Sequence, residues 1–88
     1  MRSHQDPALL RAFAAELKAR RDKLELSQEL LAHDAGVNRT FVARLELAKT
    51  SPSLTTLYRL AEGLKVDPSE LVQSITRRYK REKAHPSI

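Results

Sequence analysis

Between residues 27 and 46 the chain reads SQELLAHDAGVNRTFVARLE, and its apolar positions form two short helical stripes separated by one glycine. Leu31, Ala32 and Ala35 share a face of the first stripe; Phe41, Val42 and Leu45 share a face of the second. Gly36 supplies the turn, because glycine meets no Cβ clash at positive φ, and Val37 fills it. Ser27 and Asn38 each stand where a side-chain oxygen accepts from the unbonded N–H groups that open a helix. At about 100° per residue, the second helix turns Arg39, Thr40, Ala43, Arg44 and Leu47 away from its apolar side.

The same spacing predicts three more helices. Asp6 as cap and Pro7 at the first helical position open helix 1, where a missing N–H does no harm. It runs to about Leu24 on an inner stripe of Leu10, Phe13, Ala14, Leu17 and Leu24. Pro52 drives Ser51 out of the α region, so helix 3 must end before it. Ser53 caps helix 4, with Leu54, Leu57, Leu60, Ala61 and Leu64 as core and Gly63 ending or loosening it. Asp67, Pro68 and Glu70 open helix 5 with a cap, a first-position proline and a glutamate placed for a capping box. Its stripe is Leu71, Val72, Ile75 and Tyr79. No period-2 run predicts a strand, so the expected fold is all-α. One domain spans residues 7–79, between a flexible N-terminal arm (1–6) and a basic flexible tail (80–88).

Composition removes several classes of function. Eighty-eight residues make one small domain that buries limited surface and gains from oligomerising. Without cysteine there is neither a disulfide framework nor a thiolate metal site, which fits a reducing cytoplasm. No apolar run is long enough for a membrane, and the opening MRSHQDP is not a signal peptide. His4, His33 and His85 lack metal-ligand spacing, so no metal and no cofactor is expected. No nucleophile–base set, Gly-rich phosphate loop or paired carboxylates mark an enzyme. Sixteen Lys and Arg against eleven Asp and Glu give a net charge of +5, which favours a polyanionic partner. Basic charge alone also fits many proteins that never meet nucleic acid.

The outward side of helix 3 is the candidate chemistry. Arg39 and Arg44 can fork to guanine O6 and N7, Thr40 can meet a base or a thymine methyl, and Ala43 lets the helix lie close. The plain alternative is a solvent-facing polar helix; it is the paired helices around these residues that favour base contact. Lys18 and Lys23 on helix 1 read equally well as a solvated face.

The ordered set Ser27-Gln28-Glu29, Leu31-Ala32, Ala35-Gly36-Val37, Leu45-Glu46, Pro52-Ser53-Leu54-Thr55-Thr56-Leu57 and Leu60-Ala61 resembles the lambda-repressor/Cro family of Xre-type regulators, over roughly residues 13–71. The resemblance implies a five-helix DNA-binding domain with its helix-turn-helix at helices 2 and 3 and the second of these in the major groove. It implies phosphate contacts from Gln28, Asn38, Lys49, Thr50 and Ser51, which set register but do not read sequence. It also implies an ion pair between Arg21 and Glu46 bracing helix 1 against helix 3. The chain departs from the family pattern at Leu47 and Ala48, where a polar residue and glycine are usual. Alanine is strained in the left-handed region, so helix 3 is expected to run on or its loop to take another course.

The expected function is sequence-specific binding of double-stranded DNA by a transcriptional regulator, in size similar to the controller proteins of restriction–modification systems. One such unit makes a small interface, so a two-fold homodimer on a near-palindromic site is expected, with recognition helices about 34–36 Å apart. Leu71, Val72, Ile75 and Tyr79 are the expected dimer surface, because their stripe runs beyond what a small core requires. The alternative is an antitoxin-like interaction module in which Leu30, Leu47 and the tail grip a second protein.

Overall fold

The computed structural model describes residues 5–84. Five helices follow one another: α1 (Pro7–Lys23), α2 (Gln28–Ala35), α3 (Arg39–Glu46), α4 (Leu54–Gly63) and α5 (Pro68–Ala84). There is no strand among the described residues. The arm at residues 1–4, the chain end at 85–88, and with them His4 and His85, lie outside the described residues. Residues 80–84, read from sequence as the start of a loose tail, instead continue α5.

Every helix opens on a side-chain cap. Asp6 accepts from the N–H of Ala8, Ser27 from Leu30, Asn38 from Phe41, Ser53 from Thr56 and Asp67 from Ser69, at 2.8–3.1 Å. These bonds satisfy N–H groups that have no partner inside the helix. The capping box expected at α5 is replaced by another contact: the Glu70 carboxylate lies 3.9 Å from Arg20 on α1.

The helix ends are more informative. α1, α2, α3 and α4 all stop in the same paired turn, in which one residue enters the left-handed region and two N–H groups reach back to the last carbonyls. Gly36 is the glycine of the set; Glu25, Ala48 and Lys65 do the same at φ of 57–58°. At α3 the N–H of Ala48 donates to Leu45 and that of Lys49 to Arg44, at 3.1 and 3.0 Å. Against the expectation that helix 3 runs on or its loop takes another course, α3 ends at Glu46 and Ala48 enters the left-handed region. The alanine accepts the strained conformation, because two hydrogen bonds and the path toward Pro52 hold it there.

The core is built from Leu17, Leu31, Val42, Leu45, Leu60 and Leu71, all without solvent exposure, with Phe13, Ala61, Leu64 and Ile75 around them. Leu24 and Leu54, expected inside, are exposed. Leu24 falls after the last turn of α1, and Leu54 sits at the first position of α4, at the margin of its stripe. Gly63 is buried inside the last turn of α4 and does not itself form the turn beyond it. A Cβ there would come within 2.9 Å of Leu31 Cδ1, so its value is the close approach of α4 to α2.

α1 and α5 are fastened by a partly buried polar network. Glu16 accepts from Nε of Arg20 at 2.6 Å and from Nε of Arg78 at 2.7 Å. Ser74 accepts from Arg20 and from Arg77, both at 3.0 Å. Farther along, Tyr79 donates to Asp6, and Lys83 lies 4.3 Å above the Tyr79 ring.

Relieving the strain at residue 48 is expected to stabilise the fold. A non-glycine residue in this region costs about 1–2 kcal/mol. Ala48→Gly should therefore raise the melting temperature by roughly 4–8 °C in a calorimetric scan, about what 1 kcal/mol yields in a domain this small. An unchanged melting temperature would mean the turn carries no such strain.

Candidate nucleic-acid interface

α3 is held by one side and bare on the other. Val42 and Leu45 are fully buried, and Phe41 packs against the core from a half-buried position. Arg39, Thr40, Arg44 and Leu47 are exposed on the opposite side, with Ala43 half-buried between them. Arg39 and Arg44 make no ion pair or hydrogen bond within the described residues, whereas Arg11, Arg20, Arg21 and Arg78 are all bonded to carboxylates. Arg39 and Arg44 thus keep their charge unneutralised where the sequence placed base contacts.

The angle of α3 is set by a fork at its last residue. Arg21 Nε donates to Glu46 Oε2 at 2.7 Å and Nη2 donates to Oε1 at 3.1 Å, while Nη1 donates to the Leu26 carbonyl at 2.7 Å. Gln28 Nε2 adds a bond to Glu46 Oε1 at 2.9 Å. One carboxylate, only 5% exposed at its side chain, therefore ties the end of α1, the α1–α2 turn, the start of α2 and the end of α3 together. Burial alone would raise the Glu46 pKa. The hydrogen bonds from Arg21 and Gln28 and the attraction of Arg21 and Lys18 outweigh it and hold the group below the ordinary 4.5.

The remaining expected phosphate contacts border this face. Gln28 keeps its backbone N–H at the opening of α2, since its side-chain amide nitrogen is held by Glu46. Asn38 uses its Oδ1 to cap α3, which leaves its amide nitrogen outward. Lys49 and Ser51 are exposed and Thr50 half-exposed on the strand of loop that leaves Ala48. Ala48 adopts the left-handed conformation that glycine takes most readily.

The expected dimer stripe is largely consumed within the chain. Leu71 and Ile75 lie in the core because α5 packs along α1, and Tyr79 is bonded to Asp6. Val72 is the member left outward, at 43% exposure. Besides Leu9, Leu24, Leu30 and Leu47, the large apolar side chains left open are Leu54 and Tyr58 on α4 and Val72 near the start of α5. Leu54 and Tyr58 line one hollow with Pro68; Leu57 and Val72 line a second with Leu9 and Pro52. Tyr58 was missed from sequence, since a tyrosine off the leucine stripe reads as ordinary surface. Glu16 and Ser74 were missed too. The single available signal was the Glu16–Arg20 spacing of four.

Among the described residues no group of three acidic, histidine or cysteine side chains could hold a metal, and no helix is long and apolar enough to cross a membrane.

With this geometry in view, the chain belongs to the helix-turn-helix family, whose model matches residues 17–71. Within it, the chain is homologous to restriction–modification controller proteins. It is 36% identical over 58 residues to the control protein C.MunI of a Mycoplasma species, covering 66% of this chain and 78% of that one. It is 35% identical to the controller protein C.AhdI of Aeromonas hydrophila, whose crystal structure superposes with a TM-score of 0.68 over 70% of this chain and 94% of that one. The controller protein C.Esp1396I, solved as a tetramer on its natural 35-base-pair operator, is 21% identical with a TM-score of 0.75. That match covers 82% of this chain and 95% of that one and speaks to the fold alone.

Because the folded pKa of Glu46 is depressed, its contribution is complete above the unfolded value near 4.5 and is lost as pH falls below it. Glu46→Gln should cost about 2–3 kcal/mol at neutral pH, by leaving Arg21 without its anion. It should also flatten the loss of stability between pH 5 and roughly pH 3, read by urea titration. An acid limb as steep as that of the unsubstituted protein would assign the sensitivity elsewhere, with Glu16 the next group to examine.

Proposed function

We infer that the protein is a controller-type transcriptional regulator. It binds double-stranded DNA as a homodimer on a near-palindromic operator and acts by occupancy rather than by catalysis. The observation that carries this is α3 itself: a short helix braced by the Arg21–Glu46–Gln28 contacts, with Arg39, Thr40 and Arg44 uncovered on its free side. A major groove accepts such a helix, and a guanidinium reads guanine through two bonds at once. Gln28 through its N–H, with Asn38, Lys49, Thr50 and Ser51, sits on phosphates either side and sets the depth of entry. The controller-protein relatives support the same reading.

The dimer forms through the exposed apolar residues Leu54, Tyr58 and Val72, not through the buried Leu71 and Ile75. A two-fold contact uses the same patch on both copies, and α4 is short enough for one patch to cover the other. Such a regulator works in the cytoplasm, where its DNA is.

Fluorescence anisotropy with the DNA upstream of the protein's own gene, at several salt concentrations, tests the assignment. The logarithm of affinity should fall linearly with that of salt. Arg44→Ala should lose about 10- to 100-fold of the preference for this DNA over a random duplex. Lys49→Ala should weaken both duplexes alike and lower the salt slope by about one. If Arg44→Ala changed neither affinity nor preference, α3 would not be the reader. Separately, Tyr58→Asp should sediment as a monomer with an unaltered circular dichroism spectrum; a persistent dimer would move the contact off α4.

A further inference from the structure

Leu47 is the one large apolar side chain in the exposed row of α3, and it is 65% exposed among the described residues. It follows Ala43 by four residues and Arg44 by three, and its own backbone is still close to helical, at φ −90° and ψ 7°. The row of Thr40, Ala43 and Arg44 therefore extends one step farther and ends on an isobutyl group. The left-handed Ala48 comes next, so the row stops there and the chain turns away. Resting on the reading of α3 as the recognition helix, we propose that Leu47 reads the C5 methyl of a thymine and makes this protein select a T·A pair at the outer end of each half-site.

Two observations favour this partner over a protein. The flanking residues Arg44 and Lys49 are exposed cations without a carboxylate, surroundings that suit a polyanion and not the charge-poor centre of a protein contact. The open apolar hollows suited to a second copy are lined from α1, the loop before α4, α4 and α5, and no residue of this row lines either of them. A leucine cannot bond to a phosphate or a base edge. The apolar feature that the major groove displays is the thymine methyl. Leu47 thus trades a possible hydrogen bond for discrimination of methylated from unmethylated pyrimidine.

The test begins with selection of binding sites from a random duplex pool by the unsubstituted protein, so that no operator need be known. Each thymine of the enriched site is then replaced singly by uracil, which removes only the methyl group. One thymine in each half-site should lose about fourfold in affinity on this change, the factor for one buried methyl group. Leu47→Ala should bind the thymine site about fourfold more weakly and be indifferent to uracil at that position, while responding as before to every other replacement. Leu47→Met should restore the sensitivity to uracil. Leu47 is exposed, so both variants should melt with the unsubstituted protein.

A Leu47→Ala protein that still senses uracil at every position where the unsubstituted protein does would overturn the proposal. So would a Leu47→Ala protein that loses its dimer without DNA, since the side chain would then belong to a protein contact. If the unsubstituted protein enriches no sequence at all, the reading of α3 as a DNA-binding helix fails first, and the role of Leu47 falls with it.

Discussion

The arginine–glutamate fork between α1 and α3 is the contact on which the working geometry rests. α3 has only eight residues, too few to persist as a helix without its neighbours. Val42 and Leu45 hold it down but leave it free to roll, because dispersion contacts have little directional preference. The fork removes that freedom. Two parallel bonds from a planar guanidinium to one carboxylate fix both distance and rotation, and the third nitrogen of Arg21 is anchored on the Leu26 carbonyl. Since Gln28 meets the same carboxylate, the two helices of the helix-turn-helix share one reference point.

A division of charge follows from this arrangement. On the α1–α5 side, Arg11, Arg20, Arg77 and Arg78 are held by Glu16, Glu82 and Ser74 and act as fasteners. On α3, Arg39 and Arg44 are unopposed. The net charge of the chain is modest in itself, and what stands beside each arginine decides whether a charged partner can meet it. The two sets of arginines are chemically the same and differ only in what the fold places beside them.

Much of this was legible in the residues. Side-chain caps follow local rules, so Asp6, Ser27, Asn38, Ser53 and Asp67 could be placed from their neighbours alone. The exposed side of α3 followed from periodicity, and the Arg21–Glu46 contact from the family resemblance. What was not legible depends on contacts far apart in sequence. The burial of Glu16 and Ser74 arises only once α5 lies along α1, and the same packing withdraws Leu71 and Ile75 from the surface. Ala48 shows a different limit. Its intrinsic preference opposed the left-handed turn, and the bonds from Ala48 and Lys49 to the preceding carbonyls prevailed over it.

The hydrogen bond from Tyr79 to Asp6 has a consequence for how the molecule comes apart. Asp6 is also the residue that caps α1, so one carboxylate both starts the first helix and secures the last. Loosening the far part of α5 removes a partner from the group that starts α1, and unwinding the start of α1 leaves the Tyr79 hydroxyl without its acceptor. The first turn of α1 and the far part of α5 are thereby coupled, so fraying at either one weakens the other.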